Sequence, residues 1–304
     1  MNILITGGTG FLGGHLIPLL QKDDAHTLYG LARSEKARDT LEKQGVNAVV
    51  ADLTDSGEIR EALKDISIEV VFHLAAEIAS QRSKELLRSV NIEGTQNLFD
   101  AIKTHPELKS FIFASTVVTG EADGALLTEE VPLVVHTEYG HTKQTAERIL
   151  LDAFTREDFP AIVVRPCHIY GNGGWFGGVI HELEKGSLRM PGNGKNMWDV
   201  IHVDDCAAAF VTVMTLGQPG QIYHVADDTP ITMGEFMAET ARQAGVKPPG
   251  RAPRFLANLM LGRDTITSVM RSARTSNAKL RALGWRPACP DYTTGLAKTF
   301  RNKV

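Results

Sequence analysis

Cysteine is scarce: three occur in 304 residues, Cys167, Cys206 and Cys289. They are far apart, odd in number and include no CxxC pair, so no disulfide framework is encoded and a reducing compartment is expected. Excess charge of one sign is missing too. Lys plus Arg number 32 against 36 Asp plus Glu, a formal net charge of −4. Without a basic stripe, nucleic acid is not an expected partner. No apolar run approaches the roughly 18 residues that a membrane span needs. The N-terminus lacks the basic region and small-residue cleavage site of a signal peptide. A cytoplasmic protein with no membrane partner is expected.

What is present suits a globular enzyme: 43% hydrophobic and 22% charged residues, in a chain long enough for one large core with a smaller lobe. Short apolar runs rich in Ile, Val and Phe recur at 2–6, 27–32, 46–51, 69–75, 110–116 and 161–166. They are continuous rather than alternating, as strands buried on both faces of a parallel sheet are. Helical patterns lie between them, notably over 83–104 and 138–156. The alternation predicts an α/β fold, a Rossmann-like doubly wound parallel sheet with a smaller, discontinuous C-terminal substrate lobe. Residues 200–203 and 222–226, with a helix between, read as a return to the sheet. The dinucleotide domain is thus expected over 1–166 plus about 199–226, and the substrate lobe over about 167–198 and 227–304.

"TGGTGFLG" follows the first strand and opens a helix. Gly7, Gly10 and Gly13 allow a tight turn whose backbone approaches a pyrophosphate, with its charge on the helix N-terminus. Phe11 and Leu12 open that helix at the cofactor. The second strand ends at Ala32, Arg33 and Ser34, where an NAD site usually places an acid for the ribose 2′-hydroxyl. Arg33 offers a planar fork for a 2′-phosphate and Ser34 a further hydrogen bond, which favours NADP. Glu35, just beyond, keeps NAD as the alternative. Asp52 and Leu53 end the third strand, with the Asp52 carboxylate positioned for an adenine amine. Leu74, Ala75 and Ala76 end the fourth, where small side chains let the backbone lie against the cofactor.

"TEYGHTK" sets Tyr139 and Lys143 four residues apart, on one face of a helix. A proton-transfer pair would use that spacing, with the ammonium lowering the phenol's pKa. His136 and His141 flank the tyrosine, but no carboxylate or Cys lies at ligand spacing. No metal is expected, and both read as surface or cleft-lining residues. "GGWFGG" (173–178) lacks the Gly-Lys-Ser/Thr ending of a phosphate cradle and reads as a mobile rim.

Taken in order, "TGGTGFLG", "ADL", "HLAA", "FASTVVTG", "YGHTK", "VVRPCHIYG" and "IHVDDCAAA" resemble the extended short-chain dehydrogenase/reductases over nearly the whole chain. That family includes nucleotide-sugar epimerases and dehydratases and the dihydroflavonol-reductase-like carbonyl reductases. The resemblance implies Tyr139 as acid/base, with Lys143 holding the nicotinamide ribose. It implies Ser115 as the hydroxyl that orients the substrate oxygen, with Thr116 in reserve. It also implies Asn91 on the fourth helix as a cofactor-side residue, Pro166 beside the nicotinamide, and a homodimer paired through 83–104 and 138–156. Sugar-nucleotide members commonly carry Asn two residues after "RP" and an Arg before the "HVDD" segment; here those positions are His168 and Trp198. A neutral indole cannot neutralise a diphosphate, although Arg189 and Lys195 lie nearby in sequence. The expectation is an NADPH-dependent reductase of an aldehyde or ketone, with His168 and Trp198 on the substrate side. A nucleotide-sugar epimerase or dehydratase is the alternative, and a non-catalytic NADP-binding protein the remote one.

Overall fold

Every apolar run from the first half of the chain pairs into one sheet in the computed structural model, which describes residues 1–118, 120 and 125–301. Its strands are β1 (Asn2–Thr6), β2 (Thr27–Ala32), β3 (Asn47–Val50), β4 (Val70–His73), β5 (Ser110–Ala114), β6 (Ala161–Pro166) and β7 (Ile222–Val225). The order across the seven-stranded sheet is β7-β6-β5-β4-β1-β2-β3, and β1 to β6 pair in parallel. The order reverses beside β1, so the edge at the ends of β1, β2 and β4 is where a doubly wound sheet opens a ligand crevice. The Rossmann-like fold expected from the sequence is the fold observed.

The first compact unit comprises Met1–Ser115, His141–Arg165 and Ala207–Ile222. The helices α1 (Phe11–Leu20), α2 (Glu35–Lys43), α3 (Ser56–Leu63), α4 (Lys84–Arg88) and α5 (Gly94–Ile102) follow β1 to β4 in turn. Residues 83–104 were expected as one helix; a π-helical turn, Ser89–Glu93, separates α4 from α5. Leu4, Val71, Phe111 and Phe113 from the strands are fully buried against Leu98 and Ile102 of α5 and Ala146 and Leu150 of α6 (Glu138–Glu157). These last recur at helical spacing, which is why the segment is a helix with one face on the sheet. Removing one such phenylalanine ring costs about 3–5 kcal/mol.

The second unit comprises Thr116–Gly140, Pro166–Cys206 and Tyr223–Val304. The sequence had assigned 116–140, 199–206 and 223–226 to the nucleotide half; by packing they fall here. Short strand pairs hold it together. Val200–His202 runs parallel to His168–Tyr170 in a separate two-stranded sheet, so this segment does not return to the main sheet. The residues read as a rim are not a loop either: Gly174–Glu184 forms helix α7, with Phe176, Ile180 and Leu183 buried. Helix α8 (Val203–Leu216) belongs from Ala207 onward to the first unit; α9 (Met233–Gln243), α10 (Arg254–Leu261), α11 (Arg263–Met270), α12 (Ala278–Ala282) and α13 (Tyr292–Arg301) follow in the second.

Candidate active site and cofactor cleft

Gly7 sits at φ +72°, and a Cβ there would come within 2.7 Å of the Ala75 backbone nitrogen. A Cβ on Gly13 would lie 2.4 Å from the Gly7 carbonyl oxygen. Neither position accepts a side chain, so β1, the turn and the start of α1 stay close-packed against β4. The Gly10 amide donates to the Gly7 carbonyl at 2.9 Å, closing the turn. The result is a cleft of about 550 Å³ in the first unit, open at the N-terminus of α1. It fits a dinucleotide: glycine backbone and helix dipole for the pyrophosphate, and strand ends for the nucleosides.

Of the residues proposed for the cofactor, Gly7, Gly10, Arg33, Ser34, Asp52, Leu53, Leu74, Ala75 and Ala76 line this cleft. Gly13 acts from behind the turn, and Phe11 and Leu12 are not among the lining residues. Two lining residues that the sequence reading passed over are Lys36 and Thr40 of α2. Ser34 is the N-cap of α2, its Oγ accepting from the Ala37 amide at 3.3 Å. The Arg33 side chain is largely exposed, 3.7 Å from the Glu77 carboxylate. Glu35 pairs with Arg38 at 2.5 Å on the same helix and does not line the cleft. The acid that argued for NAD is thus engaged elsewhere, while Arg33 and Lys36 share one cleft. Asp52 Oδ1 accepts from the Thr54 amide and hydroxyl, both at 2.8 Å. The backbone hydrogen bond from Thr54, then its hydroxyl, holds the Asp52 carboxyl below its usual range.

Asn91 behaves differently from expectation. It is buried on the π-helical turn, with Oδ1 accepting from the Glu77 amide (2.8 Å) and Nδ2 donating to the Glu77 carbonyl (3.0 Å) and Thr142 Oγ1 (3.0 Å). These bonds occupy the amide, so its role here is to tie the loop after β4 to α6. A neighbouring chain of bonds fixes His73. Thr95 Oγ1 donates to the Asn91 carbonyl (2.8 Å) and so accepts from His73 Nε2 (2.9 Å). His73 Nδ1 then accepts from Thr6 Oγ1 (2.7 Å), which receives the Ala75 amide (3.2 Å). His73 is therefore the neutral Nε2–H tautomer. Burial, with Lys143 adding repulsion, pushes its pKa down to about 3.

Helix α6 carries both Tyr139 and Lys143. Its start is fixed by Thr137 Oγ1, which accepts from the Gly140 amide at 3.0 Å, and by Asp264, which accepts from the Glu138 amide at 2.7 Å. Within the first unit Lys143 is 2% exposed, its Nζ 4.1 Å from the centre of the Phe113 ring. Burial pushes its pKa down to about 7, opposed by the carboxylate of Glu147 one turn on. Glu147 is itself gripped by Arg165 through Nε (2.9 Å) and Nη2 (2.6 Å). Tyr139 is half-buried, and loss of water pushes its phenol up to about 12. The expected lowering of the phenol pKa by Lys143 is not found; burial alone sets the direction.

Ser115 and Thr116 differ in how their hydroxyls are engaged. Thr116 Oγ1 donates to the Pro166 carbonyl (3.3 Å) and accepts from the Val118 amide (3.0 Å), so it shapes the second unit's loop. Ser115, at the end of β5, is buried with an Oγ that has no partner among the described residues. A buried hydroxyl without a partner costs free energy unless a ligand satisfies it. Thr119 of the same run lies outside the described residues.

In the second unit His168 stacks on Trp198 with ring centres 4.4 Å apart. His168 Nδ1 contacts the Asp199 carbonyl (3.1 Å), while Nε2 is buried without a partner among the described residues. Trp198 was expected to touch substrate. It is instead 1% exposed in the core beside Phe236, with its indole N–H on the Val269 carbonyl at 2.8 Å. His136 and His141 are exposed. His202, Asp205 and Cys289 bring ligand atoms within 4.8 Å of one another. Both Asp205 carboxylate oxygens, however, accept backbone amides, of Ala288 (2.8 Å) and Cys289 (2.9 Å), which gives that acid a structural task.

A Rossmann sheet with this glycine turn, and a helix bearing Tyr139 and Lys143, defines a nicotinamide-dinucleotide enzyme of the extended short-chain dehydrogenase/reductase type. Residues 3–226 match the NAD dependent epimerase/dehydratase family, and the chain belongs to it. It is 25% identical to a 3-diazoavenalumate denitrifying reductase of Streptomyces sp, over 98% of this chain and 100% of that one. It is likewise 25% identical to the human dTDP-D-glucose 4,6-dehydratase, over 98% and 89%. Among solved structures, UDP-glucose 4-epimerase of Thermus thermophilus in complex with NAD superposes with a TM-score of 0.84, at 26% identity over the whole of both chains. Among the described residues no helix is long and apolar enough to cross a membrane.

Proposed function

We propose that the chain is an NADPH-dependent reductase of an aldehyde or ketone. The observation that carries this reading is the adenosine end of the cleft, where Arg33 and Lys36 stand together and Glu35 is paired with Arg38. Arg33 just after β2 and Lys36 in the first turn of α2 suit a 2′-phosphate, and that helix N-terminus adds its dipole. When bound, the reduced nicotinamide supplies the hydride. Tyr139 Oη gives its proton to the carbonyl oxygen. A phenol held near pKa 12 is fully protonated at neutral pH, as a donor in the reductive direction must be. Ser115 Oγ, without a partner among the described residues, is available to donate a hydrogen bond to a substrate oxygen, and Lys143 to hold the nicotinamide ribose hydroxyls.

Arg33→Asp combined with Lys36→Glu tests the reading through the ratio of kcat/KM for NADPH to that for NADH. The double variant is expected to lower this ratio by about 100-fold or more, at roughly 1.5–3 kcal/mol per lost charged hydrogen bond; an unchanged ratio would overturn the cofactor assignment. The NAD-bound epimerase structure at 26% identity favours one second reading, a redox-neutral epimerase or dehydratase acting on a sugar nucleotide. Conversion of such a substrate without net cofactor turnover would establish it instead.

A further inference from the structure

Helix α10, Arg254–Leu261, reverses the usual order of a surface helix. Phe255 is 70% exposed, Leu259 80% and Met260 74%, with Leu256 and Leu261 exposed beside them, while Ala257 is the buried residue. Positions 255, 256, 259 and 260 share one side of the helix, so the apolar groups form a patch rather than scattered singles. A contiguous exposed apolar patch marks an interaction surface.

Charge identifies what covers it. From Thr240 to Arg263 the chain contains no Asp or Glu, in a protein whose net charge is −4. Lys247, Arg251, Arg254 and Arg263 are all exposed around the patch. Strand Gly250–Ala252 pairs with Arg189–Pro191, which brings Arg189 alongside, and Lys185, Arg189 and Lys247 line the adjoining cavity with one acid, Glu184. A second copy bound about a two-fold axis would set these cations against their own counterparts, an unfavourable arrangement. An apolar face rimmed by cations complements an anionic bilayer, where side chains enter the acyl boundary and Lys and Arg meet the headgroups. Lacking a spanning helix among the described residues does not prevent a helix from lying in the interface. We propose that α10 and its basic rim dock the protein peripherally on a membrane surface containing anionic phospholipid. This inference is independent of the reductase reading.

The test is co-flotation of the full chain with vesicles of phosphatidylcholine, with and without a one-third share of phosphatidylglycerol. Binding to the anionic vesicles is expected, with weaker binding to the neutral ones and a decline as salt rises. Arg251→Glu and Arg254→Glu should each lower partition by at least about fivefold, and Leu259→Glu with Met260→Glu should abolish it. As a milder probe, Leu259→Cys is labelled with a polarity-sensitive dye, the three native cysteines being buried. Its emission should shift to the blue on anionic vesicles. No flotation with either vesicle, or flotation and dye shift indifferent to the substitutions, would overturn the proposal. So would a concentration-dependent dimer, abolished by Leu259→Glu, in protein that ignores vesicles, because a second copy would then cover the face.

Discussion

Lys143, proposed to hold the nicotinamide ribose, is buried with the carboxylate of Glu147 one turn away. Burial strips water from its ammonium and brings its pKa to about 7, and Glu147 is the group holding it from falling further. Glu147→Gln removes that support and leaves Arg165 buried without its counter-ion. The variant is expected to lose about 3–5 kcal/mol of stability in chemical denaturation; a loss within the ordinary surface range would deny the buried pair its role. Tyr139→Phe removes the proposed proton donor and little else. Turnover should fall by about 10²–10⁴-fold, while cofactor affinity, measured by fluorescence titration, stays close to that of the native chain. The placement of Tyr139 and Lys143 on one helix was legible because a four-residue spacing is a geometric statement. Their pKa shifts were not, since desolvation depends on what packs around a side chain, which no spacing reveals. The resemblance put Ser115 ahead of Thr116 without a physical reason; the bonds of Thr116 to Pro166 and Val118 supply one.

Among the elements, the glycine turn is the most constrained. Gly13→Ala would force a Cβ to 2.4 Å from the Gly7 carbonyl, so the turn must open or α1 must move. Cofactor binding by calorimetry should be lost, together with several degrees of melting temperature. Retained affinity would mean that the turn is not the pyrophosphate seat. Strands β1 to β6 were legible because burial on both faces forces continuous apolar runs. The run at 200–203 looked the same, yet pairs with 168–170, because composition does not say which sheet a short strand joins. "GGWFGG" was misread because its glycines dominated; Phe176, Ile180 and Leu183 recur at helical spacing and held the contrary signal. Lys36 carries no signal in the strand-end pattern; it reaches the cleft from the first turn of α2.

At the scale of the whole molecule, stability should depend on buried neutral histidine. His73 has its pKa pushed to about 3 from an ordinary 6.5, and His168 likewise, by burial and then Arg271. Between those values the unfolded chain binds protons that the folded chain refuses, so stability is lost as pH falls through this window. Near pH 5 each histidine costs about 2 kcal/mol relative to neutral pH. His73→Gln should be less stable at neutral pH, having lost its links to Thr6 and Thr95. Its further loss on acidification should be smaller than that of the native chain by about 2 kcal/mol in paired urea titrations. Equal losses would mean that His73 accepts a proton in the fold. The division expected from the change of composition after Pro166 differs from the packing units, which take 116–140 into the second unit, because packing leaves no compositional trace.

The central claim is net reduction with NADPH as the hydride source. The purified chain should be incubated with NADPH and, in separate reactions, a carbonyl panel and a sugar-nucleotide panel, with reduced cofactor and products quantified together. One equivalent of NADPH consumed per alcohol formed, at rates that collapse in Tyr139→Phe, is the predicted result. A sugar nucleotide transformed while the NADPH concentration stays constant would contradict it.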